Sequence, residues 1–123
     1  MRLVADVGPD LPSIDADPVR IRGVLGNLLS NAIRYTPSGG TVTGSAHQSG
    51  TSVIFSVHDT GQGIPSELRA RIFERFVKGP GSPGSGLGLA IAKDVVSAHG
   101  GTIEAVSEPG KGTEIRFTLP VAP

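Results

Sequence analysis

The sequence predicts an α+β fold, a two-layer sandwich in which one mostly antiparallel sheet is covered on one face by three helices. Three observations carry this. Apolar residues recur at helical spacing from Val24 to Ile33 and again from Leu87 to Ala98. Strand-like runs come in pairs joined by short glycine-containing turns, Thr41 to Gln48 with Thr51 to Asp59 and Thr102 to Ser107 with Thr113 to Leu119. A length of 123 residues suits a single domain over 1–123, burying about two-thirds of the surface its unfolded chain would expose.

Each element has a local reason. Arg2 to Val7 alternates as a short strand, and Pro12 to Asp15 continues as an extended link. Asp17 followed by Pro18 marks a helix start: a capping side chain, then a residue whose fixed φ suits the first turn. That helix runs to about Tyr35 and stops before Pro37-Ser38-Gly39-Gly40. The first strand pair turns at Ser49-Gly50. Pro65-Ser66-Glu67-Leu68 opens a short helix through Ile72 and Phe73, and Lys78 to Gly84, rich in glycine and proline, is a flexible segment. Leu87, Ile91, Val95 and Ala98 form the stripe of a helix ended by Gly100-Gly101. In the last hairpin Ile115, Phe117 and Leu119 share a face, and Pro109-Gly110-Lys111-Gly112 makes the turn.

Composition narrows the function. Eleven basic residues balance eleven acidic ones, so there is no broad positive field to draw the chain to nucleic acid or an anionic membrane, and any bound anion must be held locally. Cysteine is absent, which removes disulfide frameworks and thiolate metal sites. No apolar run approaches the roughly 20 residues that cross a bilayer, and Met1 to Asp6 is too short and polar for a signal peptide, so the chain reads as soluble.

Asn27 and Asn31 stand one helical turn apart, although asparagine is a poor helix former because its amide competes with the backbone. With Gly23 and Arg34 they follow a polar stripe beside the apolar face of Val24, Leu25, Leu28, Leu29, Ala32 and Ile33. Such a stripe either faces water or presents amide oxygens and a cation to a ligand. Val53, Phe55, Val57 and Asp59 share strand parity, so Asp59 extends an apolar stripe toward the helical layer, where a carboxylate needs a donor. Asp59-Thr60-Gly61-Gln62-Gly63 is then either an ordinary turn or a close approach of backbone to a flat ligand. Gly84-Ser85-Gly86-Leu87-Gly88-Leu89 opens a helix whose first N–H groups have no internal partner and whose dipole favours an anion. The P-loop pattern is absent, and Gly79 to Gly84 fits the dinucleotide fingerprint by letter only, since it follows no strand and two prolines interrupt it.

In order and character, Asn27 to Tyr35, Asp59 to Gly63, Ile72-Phe73-Glu74-Arg75-Phe76 and Gly84 to Gly88 resemble the N box, first glycine box, F box and second glycine box of the ATP-binding catalytic domain of bacterial sensor histidine kinases. The resemblance spans about Asp15 to Leu119 and implies the Bergerat fold, a two-layer α/β sandwich. It implies that Asp59 accepts a hydrogen bond from the adenine amine, where guanine has a carbonyl. Gly61, Gly63 and Ile64 would lie against the base, while Gly84, Ser85, Gly86, Leu87 and Gly88 cradle the phosphates. Asn31 is assigned a magnesium ion, with Asn27 assisting through a phosphate, a water or the ion itself, an economical arrangement because magnesium keeps several waters. Arg34 and Tyr35 match positions near the phosphates and the base. Arg75 and Lys78 flank a short nucleotide lid and could neutralise the γ-phosphate, or equally be solvated surface charges. Phe73 and Phe76 read as anchors for that lid.

The wider superfamily includes gyrase, mismatch-repair and chaperone ATPases, in which a glutamate matching Asn27 activates water. Asn27 cannot take a proton at neutral pH, which argues against dedicated hydrolysis. Asn27, Asn31 and Arg34 are therefore expected to position and neutralise a γ-phosphoryl group on its way to another nucleophile. The resemblance implies that this is a histidine on a separate dimerisation domain of the same kinase. Within the chain, His58 lies in a strand beside a site residue, His47 reads as a strand residue, and His99 as a helix-end residue. The expected whole is the cytoplasmic catalytic part of a membrane-anchored two-component kinase. It would reach its response regulator through the parent protein and make no contact of its own with nucleic acid or membrane. A serine kinase of an antagonist protein and a nucleotide-dependent binding module are the alternatives.

Overall fold

The structure, a computed structural model, describes residues 2–7, 11, 14, 16–61, 63, 72–74, 88–107 and 111–122; within these the side chains of Asp6 and Tyr35 are outside the description. The elements are β1 (Arg2–Val7), α1 (Pro18–Tyr35), β2 (Thr41–Ser49), β3 (Ser52–Asp59), α2 (Gly88–Ala98), β4 (Ile103–Ser107) and β5 (Thr113–Pro120). They build one five-stranded sheet in the order β1-β2-β3-β5-β4. Only β1 and β2, linked through α1, pair in parallel; every other neighbour is antiparallel. The expected sandwich is present, with two helices among the described residues. The helix expected from Pro65 lies outside them except at its end, where Ile72 and Phe73 form a turn.

α1 starts and stops where its sequence says. Asp17 Oδ1 accepts the Val19 and Arg20 N–H groups with Pro18 in the first turn, and Thr36 closes the other end by donating its hydroxyl to Ala32 O at 2.7 Å. The β2–β3 turn falls on Gly50-Thr51, one residue later than expected, because Ser49 pairs with Ser52 and Gly50 takes up the left-handed φ of +60°. α2 ends in a Schellman motif: Gly100 at φ +79° donates to Ser97 O, and Gly101 donates to Val96 O. Gly101 is required there, since a β-carbon would collide with Thr118 O on β5.

The core lies between the helices and one sheet face. Ile21, Val24, Leu28 and Ala32 of α1 meet Val42, Val57, Ile115, Phe117 and Leu119 of the sheet and Ala92, Val95 and Val96 of α2. Phe55 and Phe117, paired across β3 and β5, stack with centroids 4.8 Å apart. Two expected stripes are corrected. In α1, Leu29 and Ile33 are exposed, because they sit on the flank roughly 100° or more round the helix from Leu28. In α2, Ile91 and Ala98 face outward, and the buried stripe is Ala92, Val95 and Val96 with Leu89 beside it; fully buried Ala92 lets the helix approach closely. The other face of the sheet is polar, with Arg116 paired to Glu104 and Glu114.

Candidate functional site

The two helices run antiparallel. His99, just past α2, accepts the N–H of Asp17, the cap of α1, at 3.1 Å through Nε2 and donates from Nδ1 to Val95 O at 2.8 Å. Because the helices pack on one another, α2 must run back along α1 from that point. At 1.5 Å per residue the described part of α2 extends about 16 Å from that point, toward the C-terminal half of α1.

β3 delivers Asp59 to the same end. Thr60, the next residue, donates its N–H to Thr41 O at 3.1 Å and accepts the Thr41 N–H through Oγ1 at 2.9 Å. This ties it to the strand that follows α1. Gly40 fits between Thr36, the C-cap of α1, and Thr60, where a β-carbon would press on both. The end of β3, the C-terminal half of α1 and the N-terminus of α2 thus occupy one end of the sandwich.

Asp59 is only 6% exposed. Its carboxylate accepts the Gly61 N–H of the turn at 2.9 Å, and the Thr113 N–H on the neighbouring strand lies close enough to favour its charged form. Burial pushes its pKa above the ordinary carboxylate value; the Gly61 N–H, the charge of His58 and the Thr113 N–H oppose that shift without cancelling it. A buried carboxylate that accepts one backbone N–H retains lone pairs for a further donor. Gly61 is buried, and Gly63 has φ +81°, the left-handed conformation the turn requires.

The other expected residues divide. Asn27 and Asn31 are half-buried on one flank of α1, while Arg34 is exposed on that flank. Gly88 is the first described residue of α2, whose expected start at Leu87 lies outside the described residues. Ile64, Arg75, Phe76, Lys78, Gly84, Ser85, Gly86, Leu87 and the Tyr35 side chain lie outside the described residues. Phe73 packs partly buried against the core. His58 and His47 are exposed strand residues, and His99 is a helix-end group, as expected. The sequence reading missed Thr113, the Asp59 partner, and Ser107 beside it. A signal was available: Thr113 shares parity with Ile115, Phe117 and Leu119, as Asp59 does with Val57.

Comparison with known proteins decides the family. The model of the histidine kinase-, DNA gyrase B-, and HSP90-like ATPase family matches residues 16–123. The chain belongs to this ATPase family. It is thus an ATP-binding domain, and its relatives are sensor histidine kinases. The adaptive-response sensory kinase SasA of Nostoc sp. is 46% identical across 99% of the chain, and the alginate biosynthesis sensor protein KinB of Pseudomonas aeruginosa 40% across 97%. The chain spans 31% and 20% of those two proteins. Among solved structures, the mycobacterial sensor histidine kinase MprB superposes with a TM-score of 0.89 at 33% identity, covering 99% of this chain and 84% of that one. Full-length ShkA in complex with AMPPNP superposes with 0.88 at 41% identity, covering 98% and 26%. Among the described residues of this ATPase domain, no helix is long and apolar enough to cross a membrane, and no cluster of three or more His, Cys, Asp or Glu side chains could hold a metal by itself.

Proposed function

We propose that the domain binds Mg-ATP and transfers its γ-phosphoryl group to a histidine on a separate helical dimerisation domain of the same kinase. The observation that carries this reading is convergence. A buried carboxylate on β3, a turn of α1 bearing two asparagines and the N-terminal part of α2 support this together. These suit three parts of one ligand. The Asp59 carboxylate accepts from an exocyclic amine while Gly61 and Gly63 let backbone approach the base. The N–H groups at the start of α2 face the phosphates, with the dipole in support. The amide oxygens of Asn27 and Asn31 suit a hard cation that keeps most of its waters, and magnesium bound there would neutralise charge between the phosphates.

With amides on α1 and no carboxylate at Asn27, the domain orients and neutralises the γ-phosphoryl group and leaves the attack to an incoming nucleophile. The sensory kinases across which this chain aligns, and the AMPPNP-bound relative of the same fold, support that reading. The histidine acceptor and a response regulator would belong to the remaining length of a protein of the SasA or KinB kind. The first test is calorimetry with a nonhydrolysable ATP analogue in magnesium, where saturable binding below millimolar is expected and its absence defeats the proposal. The second is incubation with labelled ATP and a histidine-bearing helical domain. Acid-labile label on that domain is expected; acid-stable label would point to a serine acceptor instead.

A further inference from the structure

The helix-facing side of the sheet ends in a row of polar side chains. Asp59 on β3 is opposite Thr113 on β5, and Thr113 is opposite Ser107 on β4, so all three stand side by side on one face. They are 6%, 6% and 3% exposed, on a face otherwise filled by Val57, Ile115 and Phe117. Valine and alanine would fill the Thr113 and Ser107 positions without hydroxyls that need partners. The hydroxyls are wired in one direction. Ser107 Oγ carries one hydrogen, and the Gly112 carbonyl 3.2 Å away can only accept, so the hydrogen lies there. The 3.1 Å contact between the Ser107 and Thr113 hydroxyl oxygens must then take its hydrogen from Thr113. Gly112 holds a position that suits only glycine. Its φ is +92°, and it is packed so closely that a β-carbon would collide with Asp59 O.

The geometry points to Ser107 as a positioning residue for base specificity: by taking the Thr113 hydroxyl hydrogen it leaves Thr113 Oγ1 an acceptor beside the Asp59 carboxylate, and the two acceptors together exclude a purine that carries a carbonyl at position 6. This rests on the reading of Asp59 as the group that meets the purine. An exocyclic amine has two hydrogens to give and meets acceptors; a carbonyl at the same place meets lone pairs. A Thr113 hydroxyl free to turn would donate to that carbonyl and relieve the exclusion that Asp59 alone imposes.

The test compares the dissociation constants of nonhydrolysable ATP and GTP analogues for the unaltered chain, Ser107→Ala, Thr113→Val and the double variant. Ser107→Ala is expected to lower the preference for the ATP analogue about ten-fold, chiefly by tightening the GTP analogue. Ser107→Thr, which keeps the hydroxyl, should preserve the preference. Because Ser107 works through the Thr113 hydroxyl, the double variant should match Thr113→Val alone. Parallel loss of both affinities in Ser107→Ala, with the ratio unchanged, would mean a merely structural serine and overturn the proposal, as would additive effects in the double variant. Should Ser107→Ala not fold, Thr113→Val decides, an unchanged ratio overturning the proposal and a lowered one supporting it. An unaltered chain that binds neither analogue would instead defeat the nucleotide reading itself, so the two failures are distinguishable.

Discussion

Asp59→Asn tests the base-reading group with an almost isosteric change. The carboxylate has two oxygens, accepts the Gly61 N–H at 2.9 Å, and keeps lone pairs for an adenine amine. The introduced amide has one oxygen and two hydrogens. Whichever way it turns, either a buried backbone N–H loses its partner or a donor faces the amine. A charge-assisted hydrogen bond is worth about 1.5–3 kcal/mol, so affinity for an ATP analogue should fall by roughly ten- to a hundred-fold. Stability should barely move, since removing a charge that burial disfavours offsets one weakened backbone bond. A net change within about 1 kcal/mol means a melting shift below about 8 °C. Calorimetry in excess magnesium beside a thermal melt reads both. An unchanged dissociation constant would refute the assignment, and a large drop in melting temperature would mean that the fold had been lost, not the recognition.

Proton linkage gives a second handle. The folded pKa of Asp59 lies above its unfolded value near 3.8, so its contribution to stability is complete below the unfolded pKa and is lost as pH rises through the folded one. ATP-analogue affinity should run the other way, falling as pH drops through the folded value, and both trends should flatten in Asp59→Asn; an identical pH profile in that variant contradicts the linkage. Asn31→Ala should raise the magnesium needed for half-maximal phosphotransfer by about ten-fold, and normal transfer at limiting magnesium would remove its metal role. His99→Ala deletes the bond to Asp17 N–H that ties the two helices together and the bond to Val95 O that orients the ring, and should cost about 1–2 kcal/mol, read by urea denaturation. Gly112→Ala should cost more than about 2 kcal/mol, because a left-handed φ of +92° combines with a collision against Asp59 O. Gly50→Ala, left-handed but open to space, should cost clearly less, and equal melting shifts in the two would show that the close packing contributes nothing.

The parts of this molecule written in local sequence were legible. Asp17-Pro18, the parity of Val53 to Asp59 and the paired glycines after His99 each act through neighbours a few residues away, and each is found where expected. Sideness of the helices was less legible. Leu29, Ile33 and Ile91 are as apolar as their buried neighbours, and only the docking of α1 and α2 decides which flank meets the sheet. The row of Asp59, Thr113 and Ser107 was illegible for a stronger reason: its members come from three strands and meet only through the register of β3, β5 and β4.

That register also explains how a carboxylate can be kept where the chain would otherwise place a valine. Along β3 the stripe from Val53 through Val57 is dry, and each further residue of the same parity is directed into the layer beneath the helices. Burial alone pushes the Asp59 pKa up. Two backbone N–H groups oppose that shift, one from its own turn and one from the start of β5. The second is held by the Gly112 turn, whose carbonyl accepts from Ser107. The glycine of the β4–β5 turn, the hydroxyl pair and the carboxylate are therefore one mechanical unit. A change in the turn should reach the site as a change in base preference before it is felt as a loss of fold.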